Sequence, residues 1–146
     1  MMTIKETQNK IIDKFSNLGD WDEKYSLLIK MGRELPEISE EIKTKKYKLD
    51  GCQSQVWMNA KLDDNKIIIE GDSDAMIVKG LVAILIEAYS GFSPAEILST
   101  PPNFLREIGI DNHLSPTRKN GLGAMLKQIQ LFTVAYKAMS GTEKNL

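Results

Sequence analysis

The feature that most constrains the fold is a change of hydrophobic period in the middle of the chain. Residues 56–62 alternate between apolar and other side chains, which is the two-residue period of a β-strand. Residues 67–69 are three consecutive isoleucines, and residues 63–65 between the two segments are Asp-Asp-Asn. Because Asp and Asn favour turns and β-branched residues favour strands, the pattern predicts a β-hairpin. Residues 47–50 are expected to add a further edge strand.

The segments on both sides of this hairpin show helical spacing instead. Residues 3–18 and 20–35 each carry apolar side chains at intervals of three and four, and residues 74–90 form a denser apolar segment that predicts the central packing helix. Ser93 and Ser115 each precede a proline, which is typical of a helix N-terminus, and residues 104–108 predict a further short helix. We therefore expect an α+β fold in which helices pack with a small antiparallel sheet, as a single domain over residues 1–146.

Charge and hydropathy exclude several classes of function. The 19 Lys and Arg residues nearly balance the 20 Asp and Glu residues, whereas a nucleic-acid-binding domain usually has a concentrated basic surplus. The longest apolar stretch, residues 80–86, is far shorter than the roughly 20 residues of a membrane-spanning helix, and the polar N-terminus lacks the apolar core of a signal peptide. We expect no nucleic-acid partner, no membrane span and a cytoplasmic location.

Cys52 is the only cysteine, so it can form no intrachain disulfide and cannot by itself supply a thiolate metal or cluster site. It follows Gly51 directly, between a charged segment and the predicted hairpin, which indicates a loop where glycine permits unusual backbone angles. A loop thiol can reach a partner and act as a nucleophile. The alternative is a small buried hydrophobic residue, since free cysteine is often buried.

Three nearby features bear on the reactivity of this thiol. Four lysines, at positions 43, 45, 46 and 48, precede it and would lower its pKa if they lie close, although a solvated lysine face is the alternative. His113 is the only histidine and would form a catalytic dyad if it reached Cys52, but its setting favours a structural role in a turn. Arg118 lies in the first turn of the last helix, where it opposes the helix dipole, so an acidic group or partner is one reason for its position.

Two glycines follow Arg118 in the same helix, at positions 121 and 123. Each costs about 1 kcal/mol of helix stability relative to alanine. Their presence therefore indicates close packing at both positions.

Three blocks of sequence together resemble the SufE family. They are residues 51–57 (GCQSQVW), residues 71–75 with 78–81 (GDSDA and VKGL), and residues 113–122 (HLSPTRKNGL). The blocks occur in the family's order, and the likeness runs from about Phe15 to Tyr136. Leu49 departs conservatively from the valine that the family often has there. The family's fold, a small antiparallel sheet packed with helices, agrees with the α+β fold expected from periodicity.

The resemblance implies a sulfur carrier rather than an enzyme. In such proteins a cysteine desulfurase that contains pyridoxal phosphate makes a persulfide, and the family cysteine, here Cys52, accepts the outer sulfur by transpersulfidation. The carrier stimulates the desulfurase, a SufS-like protein, and delivers sulfur to an iron–sulfur scaffold. The resemblance also implies that Gly51, Gln53, Asp74 and Arg118 act in the loop or contact the partner, and that this chain holds no cofactor of its own.

Two other classes of function remain open from the sequence. One is a cysteine hydrolase or transferase that uses Cys52 with His113, and the other is a cluster scaffold, which generally needs several cysteine ligands. For a sulfur carrier we also expect the thiol to be shielded in the free protein, because an exposed persulfide would be lost to stray thiols or oxidants. Leu49 and Val56 would supply the apolar surface that covers it.

Overall fold

The structure is a computed structural model that describes the backbone of residues 2–144 and the side chains of residues 2–139. Two N-terminal helices precede a β-hairpin, and four further helices follow it. The elements are α1 (Ile4–Ser16), α2 (Trp21–Arg33), β1 (Val56–Asp63), β2 (Lys66–Ser73), α3 (Met76–Tyr89), α4 (Pro94–Leu98), α5 (Asn103–Ile108), a 3₁₀ turn (Ile110–His113) and α6 (Pro116–Lys144).

Strands β1 and β2 form the predicted hairpin, with Val56 paired to Ser73 at its open end and Asp63 paired to Lys66 at the turn. Asp64 and Asn65 occupy the turn with φ of 50° and 60°. Positive φ at both central residues matches the right-handed twist of the strands, and Asp and Asn tolerate that conformation better than most residues. The turn chemistry seen in the sequence therefore sets the register of the hairpin.

The further edge strand expected over residues 47–50 does not form within the described residues. Lys48 makes a single antiparallel bridge to Trp57, and the Leu49 amide donates to the Val56 carbonyl over 2.8 Å. The chain then leaves the edge of β1 to form the loop that carries Cys52. The prediction was wrong because residues 50–55 turn away before a second pair of residues can align.

Helix α3 is the central helix predicted from its dense apolar pattern, and it packs against α1, α2, β2 and α6. Its approach to α2 depends on Gly80. A Cβ at Gly80 would lie 2.4 Å from the Leu28 carbonyl oxygen and 2.6 Å from the Leu28 Cγ. No carbon can approach an oxygen so closely, so the two backbones meet only because this position has no side chain.

The helix caps that the sequence predicts are also present. Ser93 and Glu96 form a complete capping box at the start of α4, and the Arg118 amide donates to the Ser115 Oγ at the start of α6. Thr3 and Asp20 accept from the amides of Glu6 and Glu23 in the same way. Among residues 2–144, no helix is both long and apolar enough to cross a membrane.

A pair of glycine substitutions tests this packing. Gly80→Ala is expected to lower the free energy of unfolding by about 2 kcal/mol or more, because the added carbon forces α2 and α3 apart. Gly123→Ala is the control, since a Cβ there meets nothing within 4 Å, and it is expected to raise stability by about 0.5–1 kcal/mol. Urea unfolding of both variants measures the difference, and equal stabilities would contradict the close approach.

Candidate functional site

Cys52 lies in a loop of six residues, 50–55, whose ends are held together at the open end of the hairpin. The hydrogen bond from Leu49 to Val56 and the bridge between Lys48 and Trp57 close its base. Gly51, directly before the cysteine, has a φ of +86°. This left-handed conformation is unfavourable for residues with a side chain, which explains the glycine that the sequence analysis singled out.

Asp74 holds the far side of this loop. Its Oδ1 accepts from the Gln55 amide over 3.0 Å, and its own amide donates to the Gln55 carbonyl over 3.2 Å. These two bonds fix the loop to the junction between β2 and α3. The sequence-based expectation placed Asp74 in the loop or at a partner contact, and its observed contacts are with the loop.

A second anchor lies beside the first. Asp72, which is buried, forms ion pairs with Lys43 over 3.1 Å and with Lys79 over 3.2 Å. Burial opposes ionisation of Asp72, but hydrogen bonds from Lys43, the Ser73 amide and Lys79 outweigh it and hold the pKa of the carboxyl below its ordinary value. The lysine-rich segment that precedes Cys52 is thereby pinned to the end of the hairpin.

The thiol itself points at helix α6. The Cys52 Sγ lies 3.8 Å from the carbonyl oxygen of Gly121, within the range of a weak S–H hydrogen bond. A Cβ at Gly121 would lie 3.7 Å from the same sulfur. Cys52 is half-buried. Gly121 is buried beside the sulfur, but a Cβ there would make only an ordinary van der Waals contact, so the packing is not tight enough to require a glycine. The close packing expected at Gly123 is wrong, because a Cβ there would face open space.

Cys52 lies in the wall of a cleft of about 380 Å³ between the loop, α3 and the start of α6. The lining is mixed in character, with hydroxyl and amide groups, two apolar side chains and one cation. The lining residues are Cys52, Gln53, Ser54, Val78, Ser115, Thr117, Arg118, Gly121 and Met125.

The first turns of α6 supply most of one wall. Residues 118, 121 and 125 are spaced by three and four, so they lie on one face of the helix. Ser115 caps this helix and thereby fixes where the wall begins. Sequence reasoning identified Arg118 but missed Thr117 and Met125 as neighbours of the thiol. Met125 could have been predicted from its helical spacing relative to Arg118, but only if the face of α6 that contacts Cys52 were known.

Burial, not the neighbouring lysines, controls the ionisation of the thiol. Desolvation raises the pKa of Cys52 above its ordinary value, because a low-dielectric environment disfavours the thiolate. Of the two alternatives for the lysine segment, the structure supports the solvated lysine face rather than a lowered pKa of the thiol. Lys43 is paired with Asp72, and Lys45, Lys46 and Lys48 are exposed to solvent, where their charges are screened.

The contacts of His113 are structural. Its ring stacks on Trp21, with centroids 3.8 Å apart, and the Tyr25 hydroxyl donates to its backbone carbonyl. Among the described residues that line the Cys52 cleft, His113 is absent. The contacts attach the turn before α6 to helix α2. They give no support to a Cys52–His113 dyad and favour the structural role in a turn.

Of the other predicted site residues, two line the cleft and two shape the loop that carries Cys52. Gln53 is exposed and lines the cleft, and Arg118 is exposed on the opposite wall. Gly51 and Asp74 lie outside the lining and shape the loop. Among the described side chains, those of residues 2–139, no three of His, Cys, Asp or Glu come together as a possible metal site.

Comparison with known proteins gives three results. The model of the SufE family, described as an Fe-S metabolism associated domain, matches residues 9–133. An uncharacterized SufE-like protein of Rhizobium etli is 42% identical over 84% of this chain and 86% of its own length. A second uncharacterized SufE-like protein, from Synechocystis, is 37% identical over 92% of this chain and 85% of its own.

A solved structure supports the fold independently. The solution structure of a hypothetical protein from Thermus thermophilus aligns with a TM-score of 0.75 over 92% of this chain and 96% of that one. Its sequence identity is 23%, so the similarity supports only the fold, that is, the arrangement of the helices and the hairpin. The α+β fold expected from the sequence is confirmed.

The burial of Cys52 predicts a specific pH profile for alkylation. The rate of reaction with iodoacetamide is expected to rise with pH around a midpoint above that of the same thiol in the urea-unfolded chain, because desolvation raises the pKa in the folded state. Mass spectrometry of the labelled fraction gives both profiles. A folded midpoint at or below the unfolded one, or faster labelling of the folded protein, would contradict the shielding of this thiol.

Proposed function

The chain belongs to the SufE family, whose domain is associated with iron–sulfur metabolism, and from this premise we propose that Cys52 accepts sulfane sulfur from a cysteine desulfurase. The donor is a SufS-like enzyme that carries pyridoxal phosphate, and this chain contributes the acceptor thiol. The observation that carries the proposal is the position of the single thiol, half-buried in a cleft between a glycine-hinged loop and the start of α6.

The chemical step is an exchange at sulfur. The Cys52 thiolate attacks the outer sulfur of the donor's cysteine persulfide, a new S–S bond forms at the Cys52 Sγ, and the donor's S–S bond breaks. The donor cysteine leaves as a thiolate. One S–S bond replaces another, so no net oxidation or reduction occurs. The proton lost by Cys52 can pass through solvent to the donor thiolate.

The raised pKa of Cys52 fits a carrier that must stay unreactive until its partner arrives. The buried thiol is protonated at neutral pH, and a protonated thiol is a poor nucleophile. Moving the sulfur away from Gly121 toward the open cleft would remove the desolvation cost. The Arg118 guanidinium on the opposite wall would then favour the anionic thiolate or persulfide.

The partners and location follow from the same chemistry. Removing sulfur from the desulfurase regenerates its free cysteine, so the carrier should stimulate turnover. The persulfide on Cys52 would then pass to an iron–sulfur scaffold. We propose that this chain holds no cofactor and acts as a co-substrate rather than an enzyme. A reduced acceptor thiol is suited to the cytoplasm, which is the compartment we propose.

The first test is direct detection of the sulfur. Incubation with a SufS-like desulfurase and cysteine is expected to add about 32 Da per sulfur to the peptide that contains Cys52, and reduction should remove it. Cys52→Ser is expected to carry no added sulfur and to lose stimulation of the desulfurase, while its circular dichroism stays that of the wild type. Full stimulation by the serine variant would show that sulfur acceptance is not the mechanism.

Arg118 gives a second test. Arg118→Ala is expected to slow sulfur transfer, because the cleft loses the cation in its lining. Stability is expected to stay within about 0.5 kcal/mol of wild type, as at other exposed sites. The backbone amide of residue 118 keeps its bond to Ser115 in this variant. Arg118→Lys should recover part of the rate, and Lys137→Ala, which removes an exposed cation from the same helix, is the matched control. Equal transfer rates in all four proteins would reject the role.

A further inference from the structure

The 3₁₀ turn that precedes α6 is held by two aromatic residues of α2. The indole of Trp21, the first residue of α2, stacks on the His113 ring with centroids 3.8 Å apart and an angle of 19° between the planes. The same indole lies beside the other end of the turn, where a Cβ at Gly109 would be 3.6 Å from the Trp21 Cζ2. The Tyr25 hydroxyl, about one helical turn further along α2, donates to the His113 carbonyl. Both ends of the turn therefore contact one face of α2.

These contacts fix the orientation of the turn, which its core contacts alone do not. Ile110 and Leu114 are buried, and burial of apolar side chains stabilises without specifying a direction. Stacked rings and hydrogen bonds depend on angle as well as on distance. Among residues 2–139, the bond from Tyr25 is the one hydrogen bond that joins residues 110–115 to a distant part of the chain. The orientation of the turn therefore depends on the two aromatic residues.

The orientation of this turn in turn sets the position of one wall of the Cys52 cleft. Ser115 follows the turn and caps α6, and Gly121 lies about 9 Å further along the same continuous helix. Because a helix moves as a rigid body over this length, a shift of the turn would displace Arg118 and Gly121 together. The Gly121 carbonyl is the acceptor for the Cys52 thiol. The aromatic pair is thereby connected to the sulfur, although neither of its rings lines the cleft.

From these contacts we infer that Trp21 and Tyr25 are positioning residues, which hold the start of α6 in the place where the Gly121 carbonyl meets the Cys52 sulfur. The inference rests on the proposed function and adds two residues from outside the cleft to the machinery of that reaction. His113 contributes the plane of its ring and its backbone carbonyl, not an acid or a base. Release of the turn would uncover the sulfur, reduce the desolvation that disfavours the thiolate and so increase its ionisation at neutral pH.

Two tyrosine variants separate positioning from general stability. Tyr25→Phe removes only the hydroxyl that bonds to the turn. Tyr136→Phe is the matched control, because the Tyr136 hydroxyl donates to the Ala60 carbonyl over 2.7 Å and so attaches α6 to β1 instead. Each change deletes one hydroxyl and one hydrogen bond to a backbone carbonyl, so urea unfolding should show similar losses of stability. The readout is the pH profile of Cys52 alkylation by iodoacetamide, which requires no partner.

Tyr25→Phe is expected to lower the alkylation midpoint by about half a pH unit, which raises the rate at neutral pH about threefold. The shift is downward because burial, rather than the Arg118 cation in the cleft lining, controls the pKa of the thiol in the resting protein. Tyr136→Phe is expected to keep the wild-type profile. Equal profiles for the two variants would overturn the positioning role, because any effect would then follow from stability alone.

The stacked ring is tested at His113, which is exposed. His113→Ala removes the ring that lies on Trp21 and is expected to lower the midpoint as Tyr25→Phe does. His113→Phe keeps a flat ring for the stack and should restore the wild-type profile, although phenylalanine cannot transfer a proton. No rescue by phenylalanine would contradict positioning through the stack. Failure of Cys52 to take up sulfur from a desulfurase, with the alkylation profiles as expected, would instead reject the proposed function and leave the positioning role supported.

Discussion

The close approach of α2 and α3 at Gly80 determines much of the structure. Only a residue without a side chain lets the Leu28 backbone come so near. This contact lets α3 bury apolar side chains on nearly every side, against three helices and the hairpin. Because α3 begins directly after β2, its position also sets where the open end of the hairpin lies. The loop that carries Cys52 spans that open end, so the location of the thiol depends on how α3 packs against α2.

Burial has opposite consequences for the ionisation of two acidic groups, the Asp72 carboxyl and the Cys52 thiol. Asp72 remains ionised because two lysines and a backbone amide compensate its desolvation. Among the described residues, the one hydrogen-bond partner of the Cys52 sulfur is the Gly121 carbonyl oxygen. This oxygen accepts from the neutral thiol and cannot stabilise a thiolate. The first group therefore anchors the segment beside the loop with a permanent charge. The second stays neutral until its environment changes, which is the property that a sulfur acceptor requires at rest.

Local patterns in the sequence predicted the elements well, whereas tertiary distances decided the details of the site. The turn at Asp64 and Asn65 and the caps at Ser93 and Ser115 follow from the conformational preferences of single residues. The effect of the lysines on Cys52 could not be read in this way, because closeness along the chain does not fix the direction of a side chain. Lys43 turns to Asp72, 29 positions away in the sequence.

The same distinction explains the two glycines of α6 and the role of His113. Gly121 and Gly123 look equivalent in sequence, but two positions along a helix point to different sides, so only Gly121 faces the sulfur. Residues 113–122 form one block of family resemblance, yet His113 stacks on Trp21 while Arg118 lines the cleft. The shared sequence block predicted the region of the site. Only the structure shows that His113, before α6, supports the fold, whereas Arg118, in its first turn, lines the cleft with the thiol.

The short length of the Cys52 loop also sets a time scale. Backbone hydrogen bonds hold both ends of its six residues at the hairpin. Backbone rotations near Gly51 would therefore move the thiol away from Gly121 without displacing a helix or strand. Loop motions of this size occur in nanoseconds to microseconds, much faster than two proteins meet at micromolar concentrations. A loop that moves on this time scale would bring its thiol to an outward position many times between encounters. For the proposed sulfur transfer, the rate would then be limited by the frequency of collisions with the donor rather than by the opening of the loop.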